Sequence, residues 1–211
     1  MRMISPSRPG FARAAAAALL AITTAACAPV SAQQQPAAVA PQPQARGNAD
    51  AAFMQGMIGH HQQALEMVAL VPARAARDDV RMMAGRIEVS QRDEIAMMTR
   101  WLESRGHAAP AAEAHHGHHG ADDHSRMPGM ATPEEMARLA ASTGAEFDRL
   151  FLELMIRHHE GALVMVEELF AAGGGQESQV YAIASEVDAD QRMEIDRMRA
   201  MQRGPLTGSP R

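Results

Sequence analysis

Cysteine is nearly missing from this chain. Cys27 stands alone, so no internal disulfide can brace the fold. Aromatic residues supply only 3% of the sequence while hydrophobic residues supply 46%, so Ala and Met carry much of the apolar content, which favours helices over strands. No basic stripe is present and the net charge is −5, which excludes nucleic acid as the natural partner. The apolar run Ala14–Ile22 is too short to span a bilayer as a mature helix. Against these scarcities stand ten histidines and seventeen methionines.

The N-terminus accounts for the cysteine. Arg2, Arg8 and Arg13 form a basic segment, the apolar run follows, and Thr24-Ala25-Ala26-Cys27 ends it. Small residues before a cysteine resemble a lipobox, in which Cys27 is the lipidation site and the mature N-terminus. The alternative is ordinary cleavage after Val30-Ser31-Ala32. Either way the chain is expected outside the cytoplasm, at the periplasmic face of a bacterial membrane or free in the periplasm. Its only contact with the membrane would be the lipid anchor.

Residues 28–47 are rich in Ala, Gln and Pro and read as a flexible tether. Ordered sequence is expected from Asn48 or Asp50, both good N-caps. The chain then repeats itself. The segment from Phe53 to Val68 aligns without gaps to that from Phe151 to Val166, and Gln91 to Met98 aligns to Gln191 to Met198. This is a duplicated helix-loop-helix unit. It predicts one hairpin over residues 48–103 and another over 132–203, followed by a disordered tail over 204–211. A lone hairpin cannot bury its apolar stripe, so the expected fold is all-α: an antiparallel four-helix bundle of two duplicated hairpins.

Local punctuation agrees. Thr132-Pro133-Glu134-Glu135 reads as a capping box with Pro in the first turn. Thr143 with Glu146 reads as a second cap. Gly173-Gly174-Gly175 should end the third long helix, and Pro72 should end or interrupt the first. The stretch Glu103–Ala131, the connector (residues 104–131), reads as flexible and polar.

On helical wheels, His60 and His61 fall inside the apolar face of the first helix beside Met57, and His158 and His159 do the same beside Met155. Gln91 and Glu94 join the buried face of the second helix, and Gln191 and Glu194 that of the last. Each hairpin thus directs two imidazoles and one carboxylate inward, with Met57, Met98, Met155 and Met198 expected near the same level. Two readings compete: a buried network in which each His donates to a Glu while Met fills gaps, or a metal site. Imidazole suits Cu, Zn, Fe and Ni, and thioethers bias the choice toward Cu(I). Within the connector, His115, His116, His118, His119 and His124 form a His-rich tract, and Met127 and Met130 add soft sulfur. Copper, as Cu(I) and/or Cu(II), is therefore the expected ion, ahead of zinc or iron. A solvated linker that binds metal incidentally is the alternative for the connector.

The paired Met-Ile-x-His-His-x-x-Ala-Leu-x-Met motifs, each followed by Gln-x-x-Glu-Ile-x-x-Met, resemble the domain of unknown function 305 family across residues 50–203. The resemblance implies a ferritin-like helical bundle in an exported bacterial protein, with some members acting as periplasmic copper-binding proteins in metal tolerance. It maps onto Met57, His60, His61, Met67, Gln91, Glu94 and Met98, and onto Met155, His158, His159, Met165, Gln191, Glu194 and Met198. Gly56 and Gly59 depart from it by lowering helix propensity beside the first His pair.

Three functions follow. The first is copper binding or buffering without catalysis, with metal ions and a copper-delivery or efflux protein as partners. The second is a ferritin-like metal-dependent oxidase, disfavoured because such chemistry uses four Glu and two Glu-x-x-His motifs. The third is a structural or partner-binding bundle with a buried His–Glu network.

Overall fold

Helix-forming sequence begins earlier than the Asn48 or Asp50 cap predicts. In the computed structural model, which describes residues 43–110 and 127–204, helix α1 spans Pro43–Arg74 and carries Asp50 inside it. Then come α2 (Asp78–Ser104), α3 (Pro133–Ala141), α4 (Gly144–Ala171) and α5 (Ser178–Gln202). The leader with Cys27, most of the tether, the tract from His115 to His124 and the residues after Gly204 lie outside the described residues.

Pro72 does not interrupt α1. It sits in the last turn, and the helix stops two residues later at Arg74. Gly56 and Gly59 leave α1 continuous, because packing of its apolar face outweighs their propensity cost of roughly 1 kcal/mol each. The capping box at α3 is formed: the Thr132 hydroxyl accepts from Glu135 N–H, and the Glu135 carboxylate accepts from Thr132 N–H. Such a cap contributes about 1 kcal/mol. The cap expected at Thr143 is not made by its side chain. At the end of α4, Gly173 adopts φ 78°, which lets Gly174 N–H reach Leu169 O and Gly173 N–H reach Phe170 O.

The hairpins are α1–α2 and α4–α5, and they pack through α1 on α4 and α2 on α5. The architecture is an all-α antiparallel bundle of four long helices, with α3 laid across α1 and α4. Two aspartates fix the pairing. Asp50 and Asp148 hold the same place in the two copies, and each reaches the turn of the other hairpin. Asp148 accepts from Ala76 N–H and Arg77 N–H at 3.1 Å each, and Asp50 accepts from Gly175 N–H at 2.7 Å. The start of α1 therefore lies beside the end of α4, and the start of α4 beside the end of α1. The two hairpins are related by a pseudo-twofold axis that crosses the bundle at mid-height.

Candidate metal centre

His60 and His158 occupy equivalent positions in the repeat and meet at that axis, with ring centroids 3.8 Å apart. His61 and His159 lie outward on either side, 6.4 Å and 6.2 Å from their neighbours. All four are fully buried. The apolar faces of α1 and α4 that carry them are the faces the bundle must bury, so the sequence places them inside without any special turn.

Each Nε2 has a hydrogen-bond acceptor. His61 Nε2 meets a Glu94 carboxylate oxygen, and His159 Nε2 meets Glu194 Oε2 at 2.7 Å. His60 Nε2 meets the Pro128 carbonyl at 3.0 Å, and His158 Nε2 the His60 carbonyl at 2.9 Å. Carbonyls and carboxylates only accept, so each Nε2 carries the hydrogen. In the neutral ring the lone pair is then on Nδ1. None of the four Nδ1 atoms has a hydrogen-bond partner among the described residues. Burial, with His61 close by, pushes the His60 imidazole down to about 3. Burial, with His60 against it, holds His158 well below the ordinary histidine range. Both rings are therefore neutral electron-pair donors at physiological pH.

Glu94 and Glu194 are buried at the same level, with Ser90 Oγ 3.3 Å from Glu194 Oε1. Gln91 and Gln191 are buried as the periodicity predicts; among the described residues Gln91 Nε2 and Oε1 and Gln191 Oε1 have no hydrogen-bond partner. The sulfur atoms fall into two groups. Met57, Met98 and Met165 belong to one apolar cluster, and Met67, Met155 and Met198 to another. The antiparallel packing explains this. Met57 and Met155 each precede their His pair by about one turn, but α1 and α4 run in opposite directions, so one step back goes to opposite sides of the His layer. Among the described residues, no three His, Cys, Asp or Glu side chains gather into a ready coordination shell.

The connector departs further. Its last residues, Met127–Ala131, form a strap docked on α1 and α4. Ala131 is paired at both N–H and C=O with the Gln63 amide, at 2.7 and 2.8 Å. Arg157, ion-paired to Glu135, lies 3.4 Å from Met130 O. Gly129 and Gly161 pack backbone to backbone, and a Cβ on Gly161 would overlap the Pro128 carbonyl. Met127 and Met130 are thus half-buried parts of the bundle, and Pro128 closes over His60. At the other end of the connector, His107 stacks on Trp101.

Sequence reasoning also missed Asp50 and Asp148 as loop anchors. The signal was available: both are aspartates at the same place in the repeat. The signal for the strap lies in two of the positions where the copies differ sharply, Gly161 opposite Gln63 and Arg157 opposite Gly59.

Comparison with known proteins agrees with this architecture. No curated protein matches the chain. Among solved structures, a DUF305 fragment from Deinococcus radiodurans is 33% identical, with a TM-score of 0.62 over 72% of this chain and 94% of that one. A DUF305 protein from Streptomyces coelicolor is 29% identical, with a TM-score of 0.62 over 77% and 98%. CopM in its Cu(II)-bound form has the same fold at 24% identity, with a TM-score of 0.58 over 73% and 95%. The model of the domain of unknown function DUF305 matches residues 50–202, and the chain belongs to that family.

Proposed function

We propose that this protein binds copper in the bundle interior and serves in copper buffering or tolerance outside the cytoplasm. The observation that carries the reading is the set of four buried imidazoles whose Nε2–H groups are engaged while every Nδ1 lone pair lacks a partner among the described residues. A purely structural polar network would satisfy such atoms, since an unpartnered buried polar group costs about 1–3 kcal/mol. A soft cation supplies the missing partner without needing a hydrogen.

In this reading His60, His61, His158 and His159 donate through Nδ1. Thioethers complete the shell from the Met57, Met98 and Met165 side or the Met67, Met155 and Met198 side. Glu94 and Glu194 orient His61 and His159 through the opposite ring nitrogen, as carboxylates beside metal-bound imidazoles commonly do. Neutral imidazole and thioether favour Cu(I) over zinc or iron. CopM, which has been solved with Cu(I), Cu(II) and silver, supports the choice of ion. We assign no turnover. The two interior carboxylates are already held by imidazoles, and a di-metal oxidase would need more of them. The leader motif and the S. coelicolor relative, described as secreted, support export, with Cys27 as a lipid anchor. A copper-delivery or efflux protein would be the partner.

The test is His158→Ala with His159→Ala in protein whose connector histidines are changed to serine. Interior copper binding should be lost while the apo fold survives. Full retention of copper would reject the interior site. Protein that binds no copper before the double substitution would make the histidines structural.

A further inference from the structure

The strap brings in a sulfur atom that neither helical repeat contains. A methyl group added at Gly56 would meet the Met127 sulfur at 3.7 Å and the terminal methyl carbon of Met165 at 3.3 Å. Two thioether side chains, one from the strap and one from α4, therefore converge over one point on α1. The notch exists because Gly56 stands where the second copy has Leu154. His60 lies one turn further along α1. A helical side chain leans back over the turn N-terminal to its own Cα, which for His60 is the Gly56 turn. The residue after Met127, Pro128, holds His60 Nε2–H on its carbonyl at 3.0 Å, and His60 Nδ1 has no partner among the described residues.

We propose that Met127, Met165 and His60 form a strap-dependent site for a monovalent soft cation, Cu(I) or Ag(I). Two thioethers and one imidazole make an uncharged, soft donor set that a zinc or calcium ion would reject. The site makes the two halves of the bundle unequal, because the second copy has Leu154 in place of the notch. The inference rests on the copper reading above for the class of ion, and it adds where the ion is first held. A plain packing role is the alternative, since a leucine at position 127 would fill the notch as well as a methionine.

The experiment uses the full chain with His115, His116, His118, His119 and His124 changed to Ser. Its methionine methyl groups are carbon-13 labelled, and it is titrated with Ag(I) and, separately, Zn(II). The methyl signals of Met127 and Met165 should shift together in the first part of the Ag(I) titration and stay still with Zn(II). Met127→Leu should remove one bound Ag(I) equivalent and abolish the Met165 shift without changing the melting temperature. Gly56→Leu, which closes the notch, should remove the same equivalent. Unmoved Met127 and Met165 signals beside shifting Met57 or Met155 signals would overturn the strap site while keeping interior binding. An unchanged Ag(I) count in Met127→Leu would overturn it as well. If no methionine shifts and no Ag(I) binds, both the strap site and the copper reading fail.

Discussion

Acidification of the metal-free protein below about pH 6.5 should destabilise it. His60 is pushed down to about 3 by burial and by His61, and His158 is lowered in the same direction by burial and by His60. In the unfolded chain both rings return to about 6.5. Their folded values are depressed, so the unfolded state takes up protons first. The stability tied to keeping them neutral is intact above about pH 6.5 and is lost as pH falls below it, for His60 down to about 3. Each such ring costs up to about 1.4 kcal/mol per pH unit well inside that window and half as much at its upper edge, so the pair costs at most about 3 kcal/mol between pH 6.5 and 5. That is a large share of the roughly 5–15 kcal/mol available to an ordinary domain. Urea unfolding of apo protein at pH 7, 6 and 5 reads the effect as a falling midpoint with a constant m-value. His60→Gln should reduce the slope by about half. A midpoint that stays flat from pH 7 to 5 would refute the claim that the paired rings are held neutral at the axis.

Further outcomes follow from the loops, the strap and the leader. Asp148→Ala strands two backbone N–H groups and should cost about 3 kcal/mol, while Asp50→Ala strands one and should cost about half that; thermal melts compare them. Gly161→Ala should push the strap off α4 at a cost of about 1–3 kcal/mol. Hydrogen exchange should then rise at Met130 and Ala131 while the helices stay protected, and unchanged exchange there would contradict the docking. Cys27→Ser should move the protein from the membrane fraction to the soluble periplasm. A wild-type protein found soluble with its N-terminus at Gln33 would remove the anchor and leave export standing.

The bundle was legible because its signal is periodic and duplicated. Two copies of the same His-His and Gln-x-x-Glu spacing predict which faces are buried, and His60, His61, Glu94, His158, His159 and Glu194 all lie inside. The level of the methionines was not legible from one helix at a time. It depends on the direction in which α1 and α4 cross, and only the pseudo-twofold axis sets Met57 and Met155 on opposite sides of the histidines. The strap escaped for a different reason. Met127–Ala131 is held by hydrogen bonds and by the glycine contact of Gly129 with Gly161, not by an apolar stripe, so no hydrophobic period announces it. Asp50 reads as an N-cap by residue type, yet it serves the distant turn at Gly175, a tertiary role that local rules do not predict.

Nitrogen-15 NMR of the histidine rings, recorded as Ag(I) is added to protein with its connector histidines changed to serine, tests the central claim most directly. In the apo state His60, His61, His158 and His159 should show the Nε2–H tautomer, as their carbonyl and carboxylate partners require. On adding Ag(I), the Nδ1 resonances of these rings should shift and show coupling to silver while the Nε2–H signals persist. Silver coupled to Nε2 instead, or Nδ1 signals that never move, would contradict the account of the bundle interior as a soft-metal site.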